Sequence, residues 1–347
     1  MASLTVLIPT HNEGEVIRAT IQSVLDQTVP VDDIIVIADN DTAGAVGIAR
    51  SMGVRAIECQ GGSKAKAQDA ALPYVTTDLV LPLDADTILE RDYVEKVKPA
   101  FDDPDVTIAA GAVFTLKQDS LWSAARQLEY LQSFHLFRPI QQMTNSVVVC
   151  AGCCSIFRTA DLTALGGFPK GSLTEDIDYT LKQHARGKRA VYVGSTAAYA
   201  DEPNTMRMMR TQLKRWKIGH ATSVRTNYWQ VLRTRPLVAL WITLQIYELL
   251  IAPVVMLAPV LALLVWHAAL PTILLWWILG ESLTFWAPVL YGCVRRGYPV
   301  WKAVASYPAW MALKVVNFEA DMRHWLPEFV LVPLKLKKTF ATYEMGH

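Results

Sequence analysis

The chain has almost no net charge and few cysteines. Its 33 Lys and Arg residues against 32 Asp and Glu residues give a formal net charge of +1, whereas nucleic-acid-binding proteins usually carry a clustered basic excess. The five cysteines are odd in number and unevenly spaced, which is typical of thiols rather than of a disulfide framework. Near Cys150, Cys153 and Cys154 there is no second Cys/His pair at a useful spacing. The sequence therefore disfavours a nucleic-acid partner, a disulfide scaffold and a zinc site.

A basic, cleavable leader is also missing from the N-terminus. The first five residues, Met1 to Thr5, contain no Lys or Arg and run directly into a strand-like segment. A secretory signal peptide would begin with a basic region and continue with an apolar one. We therefore expect the first domain to remain in the cytosol.

Residues 1–230 have the pattern of an α/β domain. Short β-branched runs alternate with amphipathic stretches of helical spacing at residues 15–27 and 43–51. This alternation predicts a mostly parallel sheet with helices on both faces. The strand-like runs lie at residues 4–9, 34–38, 54–58, 79–83 and 107–112.

Beyond residue 230 the composition becomes strongly apolar, in a chain whose overall hydrophobic content is 52%. The segments 237–268 and 271–294 are each long enough for a membrane-spanning helix of about 20 residues. Basic residues precede the first segment and follow the second, so both flanks should be cytosolic. These residues are Arg225, Arg233 and Arg235 before it, and Arg295 and Arg296 after it.

A third span through residues 298–318 is less favoured. Lys302 and Lys314 interrupt it, and it would export the basic cluster of Lys335, Lys337 and Lys338 against the positive-inside trend. We expect a multi-pass membrane protein with about two spans in a module over residues 231–347. Its C-terminal segment and a helix over residues 206–230 should lie in the membrane interface.

Polar residues follow the predicted strands. In an open parallel sheet, the loops at the carboxyl ends of the strands form the ligand crevice, and here they contain Pro9 to Glu13, Asp39 and Asp84-Ala85-Asp86. Two carboxylates one residue apart at a strand end suit a hard divalent cation that bridges protein and phosphate oxygens. Turns and helix caps use the same residue types, so Asp39 or the carboxylate pair alone leaves both interpretations open.

Two later motifs contain further reactive groups. Thr174-Glu175-Asp176 offers carboxylates that could act as a general base or as favourable charges at a helix N-terminus. In Gln212 to Trp216, the guanidinium can chelate phosphate and the indole can stack on a sugar ring. A membrane-interface helix would use Trp and Arg as headgroup anchors, which is the alternative for this motif.

Taken together and in this order, the four motifs resemble the signature of the membrane-type family-2 glycosyltransferases, which include cellulose, hyaluronan and poly-N-acetylglucosamine synthases. The resemblance covers the first two thirds of the chain. It implies a GT-A catalytic domain, with a Rossmann-like and mostly parallel sheet, followed by C-terminal interfacial and transmembrane helices. It further implies a nucleotide diphospho-sugar donor, Mg²⁺ or Mn²⁺, and a bilayer as partner, and it leaves open a homo-oligomer.

The resemblance also assigns roles to residues. Asp176 would be the catalytic base with Glu175 beside it, and Asp86 would bind the metal. Trp216, Gly152 and Cys153 would contact the acceptor. The element around Lys64 departs from the family pattern, with Ser63 in place of Gly and Asp69 in place of Asn. The residues assigned to the nucleotide sugar are Pro9, Thr10, Glu13, Asp39, Lys64, Asp84, Gln212 and Arg215.

The function predicted from this resemblance is metal-dependent, inverting transfer from a UDP-sugar to a glycan acceptor at the membrane, as in a polysaccharide synthase. The alternative is a single transfer to a lipid acceptor, because ceramide glucosyltransferases resemble the same motif set. A non-catalytic membrane scaffold with a relic sugar-nucleotide fold is a third class. The intact Asp86, Asp176 and Trp216 argue against that class.

Overall fold

The computed structural model describes residues 2–11, 13–60, 62–169, 171–265 and 270–335. The first two thirds of the chain form one eight-stranded sheet with the order β3-β2-β1-β4-β7-β6-β8-β5. Its central strand β1 is buried over nearly its whole length, as expected for a strand covered on both faces. The strands are β1 Leu4–Thr10, β2 Asp33–Asp39, β3 Arg55–Cys59, β4 Leu79–Pro82, β5 Thr87–Leu89, β6 Val106–Thr115, β7 Ile156–Arg158 and β8 Arg189–Ala200.

The strand directions confirm the prediction of a mostly parallel sheet. Strands β3, β2, β1 and β4 are parallel to one another, and β6 is parallel to β8. Strand β7 is antiparallel to β4 and β6, and β5 is antiparallel to β8. The five predicted strands correspond to β1, β2, β3, β4 and β6. Four of them, β1 to β4, form the parallel run that carries the strand-end motifs.

Helices flank this sheet and continue beyond it. The helices predicted at residues 15–27 and 43–51 are α1 and α2, and the one predicted at residues 206–230 is α9. The first eight helices are α1 Val16–Leu25, α2 Ala45–Ser51, α3 Lys64–Ala71, α4 Tyr93–Val97, α5 Leu121–Gln132, α6 Arg138–Met143, α7 Thr159–Thr163 and α8 Glu175–Ala185. The last five are α9 Met206–Thr234, α10 Pro236–Val265, α11 Leu270–Glu281, α12 Ala287–Arg296 and α13 Val300–Ala320.

One helix among the described residues is long and apolar enough to cross a membrane. It runs over Pro271–Arg296, has a hydropathy of 1.5 and is 17% buried in its most apolar window. It consists of α11, a π-helical turn at Ser282–Trp286 and α12, and it matches the predicted span at 271–294.

The other predicted membrane features are tested less fully. Helix α10 covers most of the predicted span at 237–268, and its described apolar part, Pro236–Leu249, is shorter than a span. Residues 266–269 at the end of that prediction lie outside the described residues, as do Lys337 and Lys338. A multi-pass arrangement therefore stays a prediction.

Helix α13 packs against helices of the sheet domain. It contacts α5 and α9, and it buries the side chains of Trp310, Leu313 and Val316. The rings of Trp310 and Phe285 lie with their centroids 3.8 Å apart, which joins α13 to the turn between α11 and α12. Helices α12 and α13 thus share one apolar core with the sheet domain, whereas the buried residues of α10 pack in a second cluster with α8 and α9.

Candidate active site

Lys64 connects two motifs that are far apart in the sequence. Ser63 caps α3 by accepting a hydrogen bond from the backbone N–H of Lys66, so Lys64 begins the helix. The Lys64 Nζ lies 2.5 Å from Asp84 Oδ1 and 3.0 Å from Glu175 Oε1. Burial opposes the charge of this ammonium, but Asp84 and Glu175 outweigh it and raise the pKa of Lys64. Lys64 is therefore a permanent cation between the second and third motifs.

Asp86 lies in a crowded acidic environment just after β4. Burial raises its pKa to about 6, and the negative charges of Asp84, Asp201 and Glu13 add to this effect. Like charges near one another disfavour ionisation unless a cation intervenes. This corner of the site therefore favours bound positive charge.

Asp176 lies at the start of α8, close to a glycine-containing loop. Its Oδ2 accepts a hydrogen bond from the Gly152 N–H at 3.1 Å, and a Cβ at Gly152 would lie only 3.1 Å from the same oxygen. The next residue, Cys153, accepts a hydrogen bond from the Asp84 N–H at 3.2 Å through its carbonyl oxygen. The predicted acceptor residues Gly152 and Cys153 thus lie between the carboxylate pair and the candidate base.

The two neighbouring carboxylates of α8 have pKa values that shift in opposite directions. Burial, and then the charge of Glu175, raise the pKa of Asp176 to about 6. Burial opposes ionisation of Glu175 as well, but Lys64 and then Arg215 outweigh it and lower the pKa of Glu175. Pairs of carboxyl groups with separated pKa values are typical of acid–base sites. Arg215 of the fourth motif thus contributes to keeping Glu175 of the third motif ionised.

Arg126 organises the fourth motif and is a residue that the sequence prediction missed. It is 2% exposed, and its guanidinium donates to Gln212 Oε1 at 3.0 Å and lies 4.9 Å from the centre of the Trp216 ring. The Gln212 amide in turn donates to Glu202 Oε2 at 3.3 Å. No pattern in the sequence identified it, because its partners are distant in the chain. Gln212 and Trp216 are therefore held by a buried network before any ligand binds.

The C-terminal segment fixes the helix that carries Gln212, Arg215 and Trp216. Lys217 Nζ lies 2.8 Å from Asp321 Oδ1, and Arg210 lies 2.8 Å from Glu319. These ion pairs join two neighbouring turns of α9 to α13 and to the turn that follows it.

Gly219 allows α9 to approach the third motif closely. A Cβ at Gly219 would lie 2.7 Å from Cγ2 and 2.9 Å from Cβ of Thr174, which are distances that real side chains do not tolerate. Thr174 immediately precedes Glu175 and Asp176, so this contact sets the distance between α9 and the candidate base. Glycine is the residue that permits this packing.

Replacing Gly219 with Ala is expected to separate α9 from the start of α8. Overpacking of this kind costs about 1–3 kcal/mol, so the melting temperature should fall and turnover should fall with it. The matched control is Gly47→Ala in α2, where an added Cβ has nothing within 4 Å and alanine favours the helix. Thermal unfolding and donor turnover of both variants test the close contact. Equal melting temperatures and equal turnover of the two variants would contradict it.

The ends of β1 and β2 form the other side of the cleft. Thr10 Oγ1 donates to Glu13 Oε2 at 2.7 Å, which ties Glu13 to the end of β1. Asp39 is 5% exposed, and its Oδ2 accepts from the Gly62 N–H at 2.9 Å, so it fixes the loop before Lys64. Asp41, rather than Asp39, caps α2. The predicted nucleotide contacts of Pro9, Thr10, Glu13 and Asp39 stay predictions, but all four lie at this rim.

Asp69, the other departure from the family pattern, also has a structural partner. Its Oδ1 accepts a hydrogen bond from the Phe168 N–H at 2.9 Å, and an added Cβ at Gly167 would collide with its carboxylate. Asp69 therefore holds the glycine loop that leads to Thr174.

The site fits a divalent cation bound partly by its substrate. Among the described residues, no three His, Cys, Asp or Glu side chains converge to enclose a metal. Mg²⁺ usually retains waters and binds through one or two carboxylates plus substrate phosphates. Asp86, with its acidic neighbours, has the chemistry for such a site.

A doubly wound sheet with paired carboxylates after a central strand, facing a carboxylate at the start of a later helix, defines the GT-A class of glycosyltransferases. The family described as "Glycosyltransferase like family 2" matches residues 2–219, and the chain belongs to it. Residues 2–219 thus form a domain of this glycosyltransferase family.

Relatives of known activity agree with this family. Poly-beta-1,6-N-acetyl-D-glucosamine synthase of Staphylococcus aureus (strain COL) is 25% identical over 244 residues, which are 68% of this chain and 58% of that protein. The enzyme of the same name from Staphylococcus epidermidis is 21% identical over 243 residues, or 67% and 58% of the two chains. The matched region is thus little more than half the length of these curated relatives.

A solved structure shares the fold over nearly the whole chain. The mannosyltransferase PcManGT from Pyrobaculum calidifontis, solved with GDP-Man and Mn²⁺, superposes with a TM-score of 0.59 at 20% identity. The match covers 97% of this chain and 88% of that one. It establishes a GT-A fold for this chain.

Proposed function

We propose that the chain catalyses metal-dependent, inverting transfer of a sugar from a UDP-sugar to a glycan acceptor at a membrane. The observation that carries the proposal is the placement of Lys64 between Asp84 and Glu175, next to Asp176. This contact brings a cation for the diphosphate, a carboxylate pair for a metal and a candidate base into one cleft. The poly-N-acetylglucosamine synthases among the relatives support a glycan acceptor.

The donor would bind between β1, β4 and α3. Asp84 would contact the nucleotide sugar, and Asp86 would hold Mg²⁺ or Mn²⁺. Such a cation, when bound, neutralises charge on the departing diphosphate. Lys64 and Arg215 supply fixed positive charge on the same side, which stabilises negative charge developing on the leaving group. Asp39 and the turn from Pro9 to Glu13 would receive the nucleoside.

Asp176 would act on the acceptor. Its carboxylate accepts the proton of the attacking hydroxyl while the new glycosidic bond forms and the bond to the diphosphate breaks. The acceptor sugar would stack on Trp216, and the small residue Gly152 would let it approach the backbone. Arg126 and Gln212 keep the indole in place, so the acceptor surface needs little reorganisation.

Turnover should decrease at acidic pH because a general base must be ionised. Burial and Glu175 raise the pKa of Asp176 to about 6, so the rate at saturating substrate should fall as the pH drops through about 6. Removing the neighbouring charge with Glu175→Gln should move this acid limb to lower pH. A limb that stays at the same pH in that variant would contradict the coupling. The measurement is the pH profile of nucleotide diphosphate release.

The acceptor would reach the cleft from a membrane surface. The apolar helix Pro271–Arg296 and the predicted span at 237–268 would anchor the chain, with the sheet domain in the cytosol. Exposed Trp229 on α9 and Trp301 on α13 are of the type that lies at headgroup level. The apolar helix and these exposed Trp side chains support the proposal of an integral membrane protein.

A donor screen with Mn²⁺ or Mg²⁺ tests the proposal directly. The purified full chain should release a nucleotide diphosphate from one UDP-sugar and extend a glycan acceptor, which a radiolabelled donor would show as a product ladder. One product on a lipid acceptor would instead favour single transfer. No release with any donor and metal would favour a non-catalytic scaffold.

A further inference from the structure

A polar cavity lies outside the candidate active site. It has a volume of about 230 Å³ and is formed where the turn after α5, the middle of β8 and the end of α12 meet. Its lining includes His135, Ser195, Tyr291, Arg295 and Arg296, and none of the candidate site residues. It is smaller than the roughly 300–1,000 Å³ typical of drug-sized ligands. It therefore suits a small group such as a phosphate rather than a sugar nucleotide.

The cavity is cationic, and several of its donors have no partner. Within the described part of the chain, Arg295 makes no hydrogen bond or ion pair, and the hydroxyls of Tyr291 and Ser195 make no hydrogen bond. None of the described residues that line it is acidic. Arginine and hydroxyl donors that line one cavity are a recognition set for phosphate oxygens.

Arg296 holds the cavity in shape. Its guanidinium lies 3.1 Å from Glu90 Oε1, donates to the Gly194 carbonyl at 3.2 Å and covers the Phe114 ring at 5.0 Å. Arginine has five N–H donors, so these contacts leave donors for a ligand. On the opposite wall the ring of Tyr291 meets that of His135 edge to face, with centroids 5.8 Å apart.

The position of the cavity indicates which phosphate it takes. Tyr291, Arg295 and Arg296 lie on the last two turns of the apolar helix Pro271–Arg296. On the same helix, Leu283 and Val294 are 69% and 79% exposed, which is an apolar surface for acyl chains. A basic residue at the end of a span lies at headgroup level and attracts anionic lipid.

We propose that this cavity binds the phosphate headgroup of an anionic phospholipid of the bilayer, separately from donor and acceptor. The inference rests on the membrane placement in the proposed function. The lipid would bridge α12 and β8 through Arg295, Tyr291 and Ser195, with its acyl chains along Val294. Its binding would stabilise the contact between the apolar helix and the sheet domain.

Thermal unfolding of the detergent-solubilised full chain tests this site. Three probes are added in separate titrations: short-chain phosphatidylglycerol, phosphatidylcholine of the same chain length, and inorganic phosphate. We expect phosphatidylglycerol to raise the melting temperature saturably, and the other two to have little effect at the same concentration. Arg295→Gln should raise the half-saturating phosphatidylglycerol concentration at least about tenfold, as for the loss of one charge-assisted hydrogen bond.

Matched variants separate the site from general charge effects. Arg233→Gln removes an exposed arginine at the opposite flank of the membrane module and should leave the half-saturating concentration unchanged, whereas Tyr291→Phe should increase it. Equal weakening by Arg233→Gln and Arg295→Gln would overturn the proposal. So would equal stabilisation by phosphatidylcholine, or a response to inorganic phosphate alone. The assay needs no turnover, so failure of the proposed function would show separately in the donor screen.

Discussion

Asp176→Asn should lower turnover by about 10²- to 10⁴-fold, the usual contribution of a general base, with nucleotide-sugar binding largely retained. The substitution keeps the shape of the side chain and one accepting oxygen, so the contact with the Gly152 N–H at 3.1 Å can persist, while the one with the Ile177 N–H at 2.8 Å is lost. The amide cannot accept a proton from the acceptor hydroxyl. Nucleotide diphosphate release and a separate donor-binding titration measure the two effects.

Asp178→Asn is the matched control for this experiment. Asp178 lies two residues further along α8, where it pairs with Lys182 at 2.8 Å. Like Asp176, Asp178 is a carboxylate on α8, but it belongs to a local i,i+4 ion pair. Such pairs contribute only about 0.3–0.5 kcal/mol, so its turnover should stay close to that of the wild type. Equal turnover of wild type and Asp176→Asn would remove Asp176 as the base.

Asp86→Ala should abolish the metal-dependent part of donor binding. The carboxylate lies among Asp84, Asp201 and Glu13, whose charges contribute to raising its pKa, and without it a divalent cation loses its proposed protein ligand. Titrations of the nucleotide sugar with and without Mn²⁺ should differ in the wild type and coincide in the variant. We expect this substitution to weaken donor binding more than the loss of any other residue assigned to the nucleotide sugar, because metal and diphosphate bind together.

A distant carboxylate controls for loss of charge. Asp105 is exposed and pairs with Lys188 at 3.6 Å, so Asp105→Ala removes one negative charge without touching the cleft. Its Mn²⁺-dependent titration should match that of the wild type. An unchanged Mn²⁺ dependence in Asp86→Ala would count against the metal assignment.

The sequence predicted strands β1, β2, β3, β4 and β6 and missed β5, β7 and β8. Strands β5 and β7 have three residues each, which is too short for alternation to be recognised. Strand β8 is longer, but its register with β6 shifts where Val193 gives way to Ala197, and Gly194 and Ser195 interrupt the pattern there. Periodicity describes one strand at a time, whereas a bulge depends on the neighbouring strand.

The candidate site was predictable where motifs end strands and begin helices. Lys64, Asp84, Glu175 and Asp176 follow local signals, and the structure brings their side chains together. Arg126 has no such signal, because its partners Gln212 and Trp216 lie more than eighty residues away in the sequence. A buried charge is recognised by what surrounds it in space, and sequence spacing does not contain that information.

The packing of α13 on α5 also predicts how the chain responds to truncation after the sheet domain. Helix α5 carries Arg126 and faces α13, whose Trp310 is 1% exposed. A shortened chain ending at residue 230 would leave that apolar face of α5 open to water and would remove Asp321, the partner of Lys217. The sheet domain is therefore packed against helices that follow residue 230, and we expect a chain shortened at that residue to be less stable and less active than the full chain.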